Sequence, residues 1–266
     1  MACMQCHYYS SSLKHTVEVN VIVPTPEGNE QITDSNVQKS YCYEKGLPVV
    51  YLLHGAFGNY SSFLRFSNIE RYVQKHRCVA VMASADNSFY QDMYHGNSYY
   101  TFFTKELPAF ITNVFPVSKK REDTYIAGFS MGGYGAWYLA LSNPDLYSKS
   151  ASMSGALDIV DLYSEYLKGT MDAPFPLEDI FAEPQNLSGS NFDLFELHKQ
   201  CMAKGQVPEL YQACGTEDFL YSMNQTVKSR LEQVGANLIY EEGSGGHNWD
   251  FWDEYIKKVL NWMFNK

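Results

Sequence analysis

Hydrophobic and polar positions along this 266-residue chain fall into short blocks whose period changes repeatedly. Val17, Val19, Val21 and Val23 alternate with Glu18, Asn20 and Ile22, which predicts a strand with one face buried more deeply. Pro24 to Asn29 ends it as a turn, and the polar stretch Glu30 to Gly46, with Tyr41 and Tyr43, reads as a hairpin partner. Val49 to Leu53 and Cys78 to Ala83 are unbroken apolar runs, the pattern of strands covered on both faces. Between them a helix is predicted from Ser61 to about Lys75, capped by Ser61 or Ser62. Another helical stretch spans Tyr100 to Phe115, where Pro108 kinks it or starts its second part. The apolar run that begins at Thr124 and meets the glycines around Ser130, and Lys149 to Met153, read as strands, separated by a helical pattern through Ala136, Trp137, Leu139, Ala140 and Leu141. From 156 to about 205 the alternation breaks into short amphipathic pieces (Asp158 to Leu167, Leu194 to Met202) among Pro174, Pro176 and Pro184. Strand Glu209 to Cys214, helix Leu220 to Val234, strand Asn237 to Glu241 and helix Trp249 to Phe264 complete the pattern. Such alternation predicts an α/β fold, a mostly parallel doubly wound sheet with helices on both faces. Residues 1–266 are expected to form a single domain, with the 156–205 stretch inserted above the sheet as a small cap.

Composition narrows the function. At 45% hydrophobic and 19% charged, the chain can bury a sizeable core. Thirty acidic against twenty basic residues, a net charge of −10, disfavour nucleic acid as a partner, since phosphate binding needs clustered Lys and Arg. No apolar run reaches the length of a membrane span. The stretch Met1 to His7 lacks the basic and then apolar segments of a secretory signal, so a cytoplasmic setting is expected. The six cysteines are scattered and read as free thiols rather than a disulfide framework. Cys3-x-x-Cys6 lies in an unpatterned stretch without a second ligand pair and is read as a chance spacing. Nothing calls for a metal or cofactor, and the oligomeric state is left open, a homo-oligomer included.

The candidate chemistry centres on Gly128-Phe129-Ser130-Met131-Gly132, a G-x-S-x-G signature set between a strand and a helix. That turn would hold Ser130 in a strained conformation above the strand ends, with glycines where side chains would collide. The rival reading is a helix cap. A serine needs a base to take its proton. Of seven histidines, His247 is placed best, in a Gly-rich loop after the last strand. Asp218 occupies the matching loop one strand earlier; it could instead cap a helix, and Glu217 could be the acid. Ser130, Asp218, His247 is the order of an α/β-hydrolase triad. The N–H of Met131 is one oxyanion donor, and the His54-Gly55-Ala56 loop supplies another, Ala56 with Phe57 as the alternative. His54 reads as a loop-fixing residue, and His95 as a surface or pocket-lining one.

Four segments carry a resemblance: Leu52 to Gly58, Ala127 to Gly135, Cys214 to Leu220, and Gly246 to Trp249. Together they resemble the esterase D-like putative esterases, most of all the tributyrin esterases, in a family that also holds S-formylglutathione hydrolases, feruloyl and acetyl-xylan esterases and mycolyltransferases. The likeness spans nearly the whole chain and is weakest over 156–205. It implies an α/β-hydrolase fold and a metal-independent carboxylic ester hydrolase, with Ser130, Asp218 and His247 on the triad and Ala56 and Met131 on the oxyanion hole. Short acyl chains or an aromatic acid such as ferulate would suit a pocket walled by aromatic groups from Phe89 to Tyr100 and around Phe175 and Phe181, with Phe57 and Trp249 as substrate-binding candidates. An S-formylglutathione-type thioesterase, acyl transfer to another alcohol and a non-catalytic binding scaffold are the alternatives.

Overall fold

The computed structural model describes residues 1–33, 41, 43–171, 173–182 and 187–264. Eight strands form one sheet: β1 (Ala2–Ser10), β2 (His15–Val23), β3 (Val49–Leu53), β4 (Val79–Ala83), β5 (Thr124–Phe129), β6 (Lys149–Met153), β7 (Glu209–Gly215) and β8 (Leu238–Gly243). They lie in the order β1-β2-β4-β3-β5-β6-β7-β8. Since β2 is antiparallel to both β1 and β4 while all other neighbours are parallel, β2 alone runs against the rest. This is the α/β-hydrolase arrangement.

The described helices are α1 (Gly28–Thr33), α2 (Ser62–Phe66), α3 (Ile69–His76), α4 (Leu107–Val114), α5 (Met131–Ser142), α6 (Ile159–Leu167), α7 (Glu178–Phe181), α8 (Leu194–Lys204), α9 (Tyr221–Gln233) and α10 (Trp249–Phe264), besides a helical turn at Tyr99–Thr101 that runs through the π-helix Phe102–Glu106 into α4, and a 3-10 turn at Arg121–Asp123. Successive strand residues point to opposite faces, so β5 sends Ile126 into one core and Tyr125, Ala127 and Phe129 into the other. Helices α2, α3 and α10 cover the second core; α4 to α9 contribute to the first. Every residue of α5 from Met131 to Leu141 is buried, because α8 covers the side turned from the sheet. A helix with no wet side needs no polar stripe, and the sequence of α5 has none.

From β3 the chain passes to β4 on one side, and from β5 to β6 on the other. The crevice outside the carboxyl ends of β3 and β5 is therefore the topological switch point, where open α/β sheets bind ligands. Ala56 and Ser130 follow these two strands.

Three expectations need correction. The 30–46 stretch is not a hairpin partner of β2, whose two edges are taken by β1 and β4; its start lies in α1, and 34–40 and 42 fall outside the described residues. The predicted 61–75 helix is two helices, broken where the Asn68 N–H and side chain bind Asp253 of α10, and the Ser61 hydroxyl donates to Asn59 instead of capping. The unpatterned start is strand β1, in which Cys3 is exposed and Cys6 half-buried on the opposite face, so the pair cannot share a ligand.

Between β3, β5 and α5 the backbones nearly touch. A Cβ on Gly128 would lie 2.1 Å from the Gly132 carbonyl oxygen, and one on Gly132 would lie 2.3 Å from that of Leu53. Both obstacles are backbone and cannot swing away. Gly132→Ala should therefore lower stability by about 3 kcal/mol or more in urea unfolding; a loss below about 1 kcal/mol would show that strand and helix can separate freely.

Candidate active site

β5 ends at Phe129 and α5 begins at Met131, leaving a single residue for the reversal. Ser130 makes it with φ 55° and ψ −123°, a conformation that side chains disfavour and that costs about 1–3 kcal/mol. Both its backbone groups are tied: the N–H donates to Met153 O at 3.0 Å, and the carbonyl accepts from the N–H groups of Gly133, Tyr134 and Ala156. The side chain makes no capping bond to α5, which removes the helix-cap reading.

Instead Ser130 Oγ lies 2.9 Å from His247 Nε2, and His247 Nδ1 lies 2.9 and 3.1 Å from the two carboxylate oxygens of Asp218. The Asp218 side chain is fully buried while that of His247 keeps 18% exposure. Burial pushes the Asp218 carboxyl up, but hydrogen bonds from His247 and the Leu220 N–H outweigh it and hold the group below its ordinary value. An ionised carboxylate only accepts, so Nδ1 carries the ring proton and Nε2 is left to accept from the Ser130 hydroxyl. The bond to Leu220 N–H, at 2.8 Å, shows Asp218 also turning the chain toward α9. Glu217, the rival acid, is exposed and holds Gly245 by reciprocal bonds: its carboxylate accepts the Gly245 N–H, and its own N–H donates to Gly245 O. It clamps the loop that carries His247 and leaves the imidazole to Asp218.

The β3 loop crosses directly over Ser130: a Cβ on Gly55 would meet the Phe129 ring at 2.7 Å and Ser130 Cβ at 3.0 Å. Phe57, at φ 63°, donates its N–H to Asn87 Oδ1 at 2.8 Å. The N–H groups of Ala56 and Met131 have no hydrogen-bond partner among the described residues. Ala56 is thus a free donor of the loop where Phe57 is not, and the Met131 N–H sits at the positive end of α5. Above Ser130 opens a cavity of about 870 Å³, lined by Ala56, Phe57, Ser130, Met131, His247 and Trp249 among others. Its far wall comes from the 156–205 stretch, through Leu162, Met171, Phe175 and Leu177.

The aromatic walls differ from expectation in depth. Phe89 and Phe175 line the cavity, whereas Phe181 is buried behind them, packed on Phe89, Tyr163 and Phe192. His95 is exposed beside Asp179, outside the lining. Phe219, tilted by 48° against the His247 ring at 4.5 Å, and Arg65 and Phe66 at the rim are lining residues with no signal in the sequence. Trp252 is another: its ring stands edge-on to His247 at 5.0 Å, and its Nε1–H donates to the buried Ser154 hydroxyl.

The sequence profile of the family described as Putative esterase matches residues 10–263. An acetyl esterase of Caldicellulosiruptor saccharolyticus is 34% identical over 268 residues, 99% of this chain and 98% of that protein. Among solved structures, the fluorophosphonate-binding serine hydrolase FphF of Staphylococcus aureus matches with a TM-score of 0.87 at 30% identity, over 100% of this chain and 99% of that one. The S-formylglutathione hydrolase FrmB of Staphylococcus aureus matches with a TM-score of 0.83 at 30% identity, over 99% of both chains. The chain belongs to this esterase family, and it is a carboxylic ester hydrolase. Among the described residues no helix is long and apolar enough to cross a membrane.

His54 fixes the β3 loop as a neutral ring. Its Nδ1–H donates to Gly55 O at 2.7 Å, and Nε2 accepts the Ala85 N–H at 2.8 Å. Burial pushes its pKa down from 6.5 to about 4. The unfolded chain therefore takes up a proton below about pH 6.5 that the folded ring refuses until about pH 4. Stability from this residue is complete above pH 6.5 and falls by about 3 kcal/mol as the pH drops to 4. Urea unfolding at several pH values should show His54→Gln losing that part of the slope; an unchanged slope would mean that His54 is charged in the fold.

Proposed function

We propose that this enzyme is a serine carboxylesterase for short-chain acyl or aromatic, feruloyl-type esters, working through an acyl-enzyme. The observation that supports this most is the unbroken line from the Ser130 hydroxyl through His247 to a buried Asp218, open to a cavity at the serine end. His247 Nε2 takes the hydroxyl proton as Oγ attacks the ester carbonyl, and Asp218 orients the imidazole and stabilises its cation. The carbonyl oxygen becomes an oxyanion beside the N–H groups of Ala56 and Met131. His247 then passes its proton to the leaving alcohol, giving the acyl-enzyme. Water, deprotonated by the same ring, attacks the acyl carbon, and Ser130 leaves with the acid released.

Phe57 and Trp249 flank the reacting centre as substrate-binding residues, and the 156–205 stretch acts as a cap within a single domain. Its apolar wall suits acyl chains or aromatic rings, and 870 Å³ is ample for either. The free thiols of Cys3, Cys6, Cys78, Cys201 and Cys214 fit a reducing, cytoplasmic setting. The likeness to FrmB supports a thioester such as S-formylglutathione as the second reading, and assays of that thioester beside acetyl and aryl esters separate the two.

Purified protein should hydrolyse p-nitrophenyl acetate and butyrate rapidly. Ser130→Ala should lower kcat by roughly 10⁶-fold, and Asp218→Asn by roughly 10⁴-fold through the wrong imidazole tautomer. Wild-type rates no higher than those of Ser130→Ala would end this assignment.

A further inference from the structure

The loop after β4, residues 84–98, is strained at several places. Asp86, Phe89 and Tyr90 take φ values of 44°, 50° and 61°, in the left-handed region that side chains disfavour. Such strain persists only where the surroundings enforce it. Here the Tyr99 hydroxyl donates to the Asp86 carboxylate, the Tyr99 N–H donates to Gln91 O at 3.1 Å, and Ser88, Phe89, Tyr90 and Gln91 are buried. What the shape delivers is a set of hydrogen bonds to the β3 loop. The Ala85 N–H donates to His54 Nε2 and the Tyr90 hydroxyl to His54 O, both at 2.8 Å. The Tyr60 N–H donates to the Ser84 hydroxyl at 3.1 Å, and the Phe57 N–H to Asn87 Oδ1 at 2.8 Å.

Ala56 therefore sits between two peptide groups that are both held. On one side Gly55 O accepts His54 Nδ1–H at 2.7 Å and the Gly58 N–H at 3.1 Å. In a trans peptide the carbonyl and the following N–H point opposite ways, so these bonds aim the Ala56 N–H away from themselves. On the other side Asn87 takes the Phe57 N–H and fixes the plane of the 56–57 peptide. Asn87 is half-buried and stands outside the cavity lining, so it reaches the reaction only through this loop.

We infer that Asn87 is a positioning residue for the oxyanion hole: by holding the Phe57 N–H it keeps the Ala56 N–H aimed where the oxyanion forms. The inference rests on Ala56 as an oxyanion donor. A donor already aimed needs no reorganisation when charge develops, so its benefit falls on the transition state and not on the bound ester.

Asn87→Leu removes the acceptor at similar size. With p-nitrophenyl acetate its kcat should fall roughly 10- to 100-fold, part of what losing a whole donor costs, while KM stays within about twofold. Affinity for a trifluoromethyl ketone, whose adduct with Ser130 carries an oxyanion, should fall by the same factor as kcat/KM. A wild-type kcat, a loss confined to KM, or an unchanged ketone affinity overturns the inference. If circular dichroism shows Asn87→Leu unfolded, amide exchange in the wild type decides. The Phe57 amide should be protected in the free enzyme, and the Ala56 amide only in the ketone adduct. A Phe57 amide exchanging as fast as that of Ala56 overturns the inference alone. An Ala56 amide left unprotected by the ketone, beside a protected Phe57, removes Ala56 from the oxyanion hole, and the inference falls with that reading.

Discussion

The structure depends most on one close approach, that of β5 and α5 through their glycines with Ser130 pinned between them. A residue at φ 55° does not hold that shape unaided. Here the N–H is bonded to β6, the carbonyl accepts three N–H groups, and Gly128 and Gly132 leave no room for relaxation. The conformational cost falls on the residue whose side chain must stand clear of both strand and helix. With Oγ so placed, the cavity, the β3 loop and the imidazole each have a fixed point to converge on.

The remaining parts are held by neighbours rather than by chain continuity. β7 and β8 are adjacent and parallel, so their carboxyl-end loops lie side by side, and Glu217 ties one to the other through Gly245. His247 is thereby positioned by the residue beside its own hydrogen-bond partner, Asp218. Ser154, at φ 49° and fully buried, follows the same logic after β6, accepting the Trp252 Nε1–H at 3.1 Å beneath the His247 ring. A low-dielectric floor of Phe129, Trp249 and Trp252 strengthens each polar contact above it.

Much of this was legible because its signals are local. Unbroken apolar runs mark strands buried on both faces, and β3 matches its sequence bounds. Ser130, Asp218 and His247 could be grouped because type, order and loop position coincide, and the structure sets His247 within 2.9 Å of Ser130 and within 3.1 Å of both Asp218 oxygens. What the sequence hid is long-range. Ala56 and Phe57 are distinguished by Asn87, thirty residues away, which takes the Phe57 N–H. The break between α2 and α3 depends on Asp253, 185 residues away. β1 escaped because an edge strand is only half covered, so Met4, Cys6 and Tyr8 alternate with residues little more polar than themselves. Phe175 and Phe181 look alike in the sequence, yet only tertiary packing sets one at the cavity wall and the other behind it.

The reactivity proposed for Ser130 rests on geometry that exists only in the folded chain, and a covalent probe reads that directly. Native protein treated with a fluorophosphonate should take up one label per chain, and peptide mapping should find it on Ser130. Labelling should vanish in urea and in His247→Ala. A label on any other residue, or equal labelling of the unfolded chain, would contradict a nucleophile made by the turn between β5 and α5.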